Sequence, residues 1–296
     1  MMKNRFHLAA LLAATGLAAG SAQAAGTPQV TAAVRHDESR PMRDIVAEMG
    51  QATTPEGSEE YVVPNRFLKQ SGADITQFLR ELAARNVQVA PTGVPAPTPD
   101  VSFTALTRTL GGGGVPPDTN GDVSPTHYIE WINTSWAVFD KATGNRLSGP
   151  TAGNSFFAGF GGPCQTTNAG DPLAIWDDRA QRWVMTQFTT GTPASQCVAI
   201  STTSDPLGSY YRYEFQWPTS PVPVFGDYPH MGIWSDESGT QDAYLLVTHE
   251  FNNNSGGFLG AAFIALERDK MLAGQPASMV RFPGFDAYGA EAIHLD

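Results

Sequence analysis

The chain has 296 residues and carries 18 Lys and Arg against 29 Asp and Glu, which gives a formal net charge of -11. This acidic balance argues against a nucleic-acid partner, because binding to phosphates requires a basic surface. Hydrophobic residues make up 41% of the chain, enough for a packed core, so wholesale disorder is excluded. Charged residues are only 16% of the total, and there are 30 Gly and 22 Pro. Such chains are typically β proteins, whose many short strands need many turns.

The N-terminus has the parts of a secretory signal peptide. Lys3 and Arg5 precede an apolar run at residues 6–19, and residues 22–24 (Ala-Gln-Ala) have the pattern of small residues that signal peptidase accepts. The sequence therefore predicts a signal peptide at residues 1–24 and a secreted or periplasmic protein. The alternative is a membrane anchor, but the run is shorter than the roughly 20 residues of a spanning helix. We expect no membrane span after cleavage.

Residues 25–114 are not strand-like. Apolar residues at 75, 78, 79 and 82 lie at helical spacing and predict a helix over residues 74–86. A shorter helix is expected over residues 42–49. The Pro-rich stretch at 91–99 and the four glycines at 111–114 predict a linker. We interpret residues 25–114 as a helical pre-region followed by a Pro/Gly-rich linker.

From Val115 onward, aromatic and β-branched residues gather in short runs separated by Gly, Asp, Asn and Pro, as in strands and turns. Gly-Asp dipeptides at 121–122, 170–171 and 226–227 each open a unit, and the units end in turns that begin at Asp140, Asp205 and Asp269. A four-stranded unit repeated about every 50–65 residues predicts a β-propeller. The alternative is a β-sandwich in which the dipeptides recur by accident.

Within the three units, the runs predict individual strands. The second strands are expected at 128–133, 183–188 and 243–251, the third at 136–139, 197–202 and 261–266, and fourth strands at 210–215 and 278–282. Residues 285–296 look like the start of another unit. Because closed propellers have at least about four blades, we expect the propeller domain at 115–296 to be truncated.

The opening of this domain resembles a known group of proteins. Residues 115–128 read VPPDTNGDVSPTHY, and residues 139–144 read FDKATG. These stretches are similar to the first blade of exported bacterial β-propeller proteins, which carry PPDTxGxVGPxHY and then a DxxTG turn. Here Ser124 stands in place of a Gly of that pattern. The resemblance covers residues 115–285 and implies the propeller fold and export. Sialidase-like and arabinanase-like propellers are similar only in fold, which does not fix function.

Acidic residues at the openings of the units are the main candidates for chemistry. Asp171 and Asp227 would begin the innermost strands, where two carboxylates about 5–10 Å apart could hydrolyse a glycosidic bond. The alternative is that these recurring aspartates tie down the turns before their strands. Asp118, Asn120 and Asp122 have the alternate spacing of oxygen ligands that opens a calcium loop. The rest of that motif is missing, so a calcium site competes with a capped turn.

Three further residues are candidates for binding. His230 and Glu250 could join Asp227 in an acid/base cluster, although the histidines are too scattered to indicate a metal site. Trp217 precedes Pro218 in a Pro-rich loop and is the candidate for an exposed stacking surface. The other tryptophans lie within predicted strands, where packing between sheets is their expected role.

Cys164 and Cys197 are the only cysteines. In an oxidising compartment a disulfide is the simplest expectation, with Cα atoms within about 7 Å. Two buried free thiols are the alternative.

Three functions remain open from the sequence. The first is an exported propeller that serves as a binding or surface-interaction scaffold for an extracellular ligand or polysaccharide, which needs only loops on a rigid framework. The second is a carbohydrate-active hydrolase that uses Asp171 and Asp227. The third is the front part of a larger secreted enzyme. The sequence contains no phosphate-binding loop and no dinucleotide fingerprint, so no cofactor other than calcium is suggested.

Overall fold

The computed structural model describes residues 26–49, 98–111, 117–234 and 242–285. These residues form mostly β-structure with a few short helices, which confirms the predicted β-rich class. The predicted signal peptide, the helix at 74–86, most of the Pro-rich stretch and the expected further unit at 285–296 lie outside the described residues. In the part of the chain that the structure describes, no helix has the length and apolar character needed to cross a membrane.

The described residues contain fourteen strands. In chain order they are β1 (Gln29–Ala32), β2 (Arg35–Glu38), β3 (Thr119–Val123), β4 (His127–Ile132), β5 (Ser135–Asp140), β6 (Arg146–Ala152), β7 (Leu173–Asp177), β8 (Arg182–Phe188), β9 (Ser195–Ser201), β10 (Tyr210–Gln216), β11 (Val224–Trp234), β12 (Ala243–Asn252), β13 (Phe258–Glu267) and β14 (Ser278–Phe285). The helices are α1 (Met42–Met49), α2 (Gly162–Thr166), α3 (Arg268–Leu272) and a 3-10 helix at Gly153–Phe157.

The strands form three antiparallel sheets, one for each predicted unit. The first sheet has the order β3-β4-β5-β6, the second β2-β10-β9-β8-β7, and the third β1-β14-β13-β12-β11. The predicted second, third and fourth strands are all present, with ends that differ from the prediction by three residues or fewer. The strands that open the units, β3, β7 and β11, are edge strands, and β7 contacts both of the others. Closure of the sheets into a propeller stays a prediction.

The segment at residues 26–49, here called the N-terminal strap, contains strands where the sequence predicted none. β1 pairs with β14 at the outer edge of the third sheet, and β2 pairs with β10 at the outer edge of the second. The helix predicted at residues 42–49 is confirmed and lies beside β6. Most side chains of β1 and β2 are exposed, so no apolar alternation marks these strands in the sequence. Backbone pairing with the edge strands β14 and β10 specifies β1 and β2 instead.

A buried ion pair joins the second sheet to the third. Arg268 donates from Nε to Oδ2 of Asp177 at 2.8 Å and from Nη2 to Oδ1 at 2.9 Å, and the hydroxyl of Tyr244 donates to the same carboxylate at 2.9 Å. Burial by itself raises the pKa of Asp177, but the hydrogen bonds and charge of Arg268 outweigh it and the pKa lies below its usual value. Asp177 therefore stays ionised and paired, as a buried charge must.

The predicted disulfide is confirmed. Cys164 in α2 and Cys197 in β9 are bonded, with their Cα atoms 5.8 Å apart, and both are buried. They lie in a core cluster that also contains Trp131, Trp136 and Trp183, in agreement with a packing role for most of the tryptophans. The bond fixes the entry segment of the second unit to the middle of its sheet.

Reduction of this disulfide should lower the stability of the protein without unfolding it. The bonded cysteines are 33 residues apart, and the chain-entropy model gives about 3–4 kcal/mol for a loop of that size. Urea melts with and without reductant measure the loss. A variant with both cysteines changed to Ala should show the lower stability and no response to reductant. Equal stability of oxidised and reduced protein would contradict the prediction.

Candidate functional site

Polar side chains of β3 connect the first sheet to the free edge of β7. Oδ1 of Asn120 accepts a hydrogen bond from the backbone N–H of Ala174 at 2.7 Å, and Oδ2 of Asp122 accepts one from the N–H of Trp176 at 2.8 Å. These oxygens therefore serve the backbone of the neighbouring sheet. Asp118 directly precedes β3 and accepts a hydrogen bond from the side-chain amide of Asn133 at 2.8 Å.

These contacts favour a structural role for the 118–122 motif over a calcium loop. The described residues contain no group of three or more His, Cys, Asp or Glu side chains arranged to hold a metal ion. The calcium hypothesis for Asp118, Asn120 and Asp122 stays a prediction.

Asp171 and Asp227 meet at the point where β7 and β11 approach each other. Oδ2 of Asp171 accepts a hydrogen bond from the backbone N–H of Tyr228 at 3.1 Å, and the carboxyl group of Asp227 is near enough for its charge to act on Asp171. The structure thus brings together the two residues that the sequence singled out. Two neighbouring carboxylates repel each other, so a proton on one of them is favoured.

The surroundings of this carboxyl pair favour that proton. Burial, followed by the negative charges of Asp227 and Asp118, raises the pKa of Asp171 to about 7. Burial also raises the pKa of Asp118, although the hydrogen bond from Asn133 works in the opposite direction. Near neutral pH the pair therefore offers a hydroxyl donor and several acceptor oxygens side by side.

The backbone around the pair is strained. Asn133, Asp171 and Tyr228 have φ angles of 44°, 43° and 51°, a left-handed conformation that Asn and Asp adopt more readily than Tyr, so the strain is greatest at Tyr228. The ladder between β11 and β12 also shifts register between Asp227 and His230, which makes a bulge at Tyr228. Bulges of this kind redirect side chains and are frequent beside functional sites.

The bulge places an aromatic side chain next to two histidines. The Tyr228 ring stacks on His249, with centroids 5.5 Å apart, and meets the edge of His230 at 4.5 Å. His249 is buried and lies opposite Asp227 in the ladder. Burial, and then the charge of His230, lowers the pKa of His249, so this imidazole is neutral at pH 7.

Tyr228 and the position of His249 were missed by the sequence analysis. The available signal is the run Gly-Asp-Tyr-Pro-His at residues 226–230, in which Pro229 interrupts a strand pattern. A proline within a strand marks a bulge or an edge. Reading it as a bulge would have pointed to Tyr228.

A cavity of about 390 Å³ opens between the three opening strands. Its lining includes Asn120 and Asp122 from β3, Leu173 and Ile175 from β7, and His230 and Met231 from β11. All three sheets therefore contribute side chains to one open space, and His230 connects this space to the ring of Tyr228.

Glu250 is not part of the cluster expected from the sequence. It is buried and forms an ion pair with Arg281 of β14. Burial raises its pKa, although the guanidinium works in the opposite direction. Glu250 follows His249 in β12, so its side chain lies on the other face of the sheet from the partner of Asp227.

The prediction that Trp217 is exposed is wrong. Its side chain is only 2% exposed. Its backbone N–H donates to the carbonyl of Ala194 at 2.9 Å, which continues the pairing beyond the end of β10 and turns the indole into the core. The ring packs against Gly226, where a Cβ atom would overlap it. This contact accounts for the Gly of the third Gly-Asp dipeptide.

Replacing Gly226 with Ala should therefore destabilise the protein. The added methyl group would overlap the indole of Trp217, and overpacking of this kind costs about 1–3 kcal/mol. Gly257 is the matched control, because a Cβ there meets only the Ser255 hydroxyl at 3.4 Å. Urea melts should show a large loss for G226A and a change within about 0.5 kcal/mol for G257A. A loss no larger in G226A than in G257A would contradict the packing argument.

The raised pKa of Asp171 predicts a dependence of stability on pH. The folded protein holds the Asp171 proton more tightly than the unfolded chain does, so this contribution to stability is present below about pH 4 and is lost as the pH rises through about 7. Asp171→Asn removes the titration. The free energy of unfolding of Asp171→Asn minus that of the unmodified protein should therefore be larger at pH 8 than at pH 5. Urea melts at the two pH values measure this difference.

The exposed Asp100 supplies the control for this prediction. The free energy of unfolding of Asp100→Asn should equal that of the unmodified protein at both pH values. A stability difference between Asp171→Asn and the unmodified protein that does not change with pH would rule out a raised pKa at Asp171.

Comparisons with known proteins add little to this site. No family model matches the chain, and a search of curated proteins gave no match. A solved structure that is similar is the GH43_1 enzyme from Xanthomonas citri complexed with xylose, with 14% sequence identity and a TM-score of 0.32. The match covers 52% of this chain and 52% of that enzyme, so this chain spans about half of its length. No activity or residue role is carried over from a likeness of this level.

Proposed function

We propose that this chain is an exported β-propeller protein that serves as a binding scaffold, with its ligand site at the Asp171–Asp227 carboxyl pair. The observation that carries the proposal is the approach of these two carboxyl groups, one before β7 and one in β11, in a segment with left-handed backbone at Asp171 and Tyr228. An open cavity between the opening strands is lined by Leu173 and His230, which follow Asp171 and Asp227 in the chain. Buried carboxyls with shifted pKa values next to a cavity are concentrated at functional sites. The ligand is an extracellular, hydroxyl-rich molecule such as a polysaccharide.

Two features support the exported propeller. The disulfide suits an oxidising compartment outside the cytoplasm, as the signal-like N-terminus requires. The opening strands of three consecutive four-stranded units lie next to one another, which is the arrangement of strands around a propeller axis.

Calorimetric titration with a panel of soluble polysaccharides tests the binding function. The panel holds a neutral β-glucan, a neutral galactan, polygalacturonate and chitosan oligosaccharides. We expect saturable binding of at least one member, at least about tenfold weaker binding by Asp227→Asn, and unchanged binding by Asp100→Asn. Melting curves establish that each variant is folded. No binding of any member, or equal binding by Asp227→Asn, would overturn the proposal.

A glycoside hydrolase is the second candidate, and one observation favours it. Asp171 holds a proton near neutral pH, as a general acid must. Release of reducing ends from the same panel decides between the two. Hydrolysis that is lost in Asp171→Asn, while binding remains, would establish the enzyme.

A further inference from the structure

Tyr228 is the most exposed large aromatic side chain in the described part of the molecule. Its exposed fraction is 54%, whereas most other aromatic rings are buried. An exposed ring normally needs no explanation. Tyr228 has a left-handed backbone conformation and lies at a bulge, and both features direct its ring away from the sheet. The fold therefore specifies the position of this ring.

The ring is held from two sides. One face stacks on His249 at an interplanar angle of 21°, and His230 lies against the ring in a T-shaped arrangement with the centroids 4.5 Å apart. The backbone N–H of Tyr228 is fixed by the carboxylate of Asp171. The exposed fraction of Tyr228 is 54% even with both histidines in place, and a ring that is fixed before binding loses little conformational freedom when a ligand stacks on it.

Hydrogen-bonding groups lie close to Tyr228, because Asp227 precedes it in the chain and Asp171 accepts its backbone N–H. The Asp171–Asp227 pair can donate one hydrogen bond and accept several. A pyranose ring presents an apolar face of C–H groups and a rim of neighbouring hydroxyls, each both donor and acceptor. An aromatic face next to a half-protonated carboxyl pair matches both parts of such a ring.

We propose that Tyr228 is a specificity-determining binding residue on which a neutral hexopyranose unit stacks, while hydroxyls of that unit bond to the Asp171–Asp227 pair. This inference rests on the proposed binding function. A cationic ligand would also be attracted to a tyrosine face near carboxylates. The neutral sugar is favoured because burial and the charge of Asp227 raise the pKa of Asp171 to about 7, so that the pair binds a proton near neutral pH and carries less negative charge.

Three variants test the role of the ring. Tyr228→Gly removes the ring and keeps the left-handed backbone, because Gly adopts positive φ without cost. Tyr228→Phe keeps the ring and removes the hydroxyl. Phe103→Ala removes another exposed aromatic side chain, which packs on Tyr128 and Phe139 away from the carboxyl pair.

Binding of neutral glucan and galactan oligosaccharides is measured by calorimetry and compared with chitosan oligosaccharides of equal length. We expect binding to weaken about tenfold or more in Tyr228→Gly, to return in Tyr228→Phe, and to be unchanged in Phe103→Ala. Melting curves for Tyr228→Gly should show that the fold is kept.

The outcomes separate this inference from the function on which it rests. Binding that depends on Asp227 but not on the Tyr228 ring would overturn the stacking role and leave the scaffold function standing. Tighter binding of chitosan than of the neutral oligosaccharides, with the same dependence on the ring, would replace the neutral sugar by an ammonium ligand and overturn the inference. No binding of any oligosaccharide or polysaccharide would overturn both.

Discussion

The free edge of β7 is the constraint on which the site depends. A backbone N–H group that is shielded from water must find a partner, and an edge strand has no further strand to supply one. Asn120 and Asp122 meet this need from β3, and Asp171 accepts the N–H of Tyr228 from the side of β11. Short acidic and amide side chains are therefore concentrated where the opening strands meet. Burial at this junction, followed by the charges of Asp227 and Asp118, raises the pKa of Asp171, and both causes follow from the way the sheets are joined.

The same place carries most of the conformational strain of the described chain. Three of its four non-glycine residues with positive φ are Asn133, Asp171 and Tyr228, and each has a hydrogen-bonded contact at the site. Such residues cost of order 1–3 kcal/mol each and persist where the surroundings hold them in place. The buried ion pair of Asp177 with Arg268 joins the second sheet to the third. The Cys164–Cys197 bond stabilises the second sheet. The strained site is thus supported by rigid neighbours.

Local sequence pattern predicted the strands but not the contacts between sheets. Runs of apolar residues between turn residues were sufficient to place the three units. The Gly-Asp repeat suggested three equivalent aspartates, yet Asp122 lies within β3, Asp171 precedes β7, and Asp227 borders the bulge in β11. Exposed strands of the N-terminal strap, the burial of Trp217 and the outward turn of Tyr228 all depend on residues far away in the sequence. No window along the chain contains that information.

The N-terminal strap has a consequence for the timing of folding. It lies near the start of the chain, but Gln29 contacts Arg281, 252 residues later, and β1 has no partner until β14 has been synthesised. β1 therefore stays unpaired until β14 has been made, whereas β2 can pair as soon as β10 is available. The unpaired β1 is meanwhile open to pairing with neighbouring chains, so that folding yield should fall as the concentration of newly made chain rises.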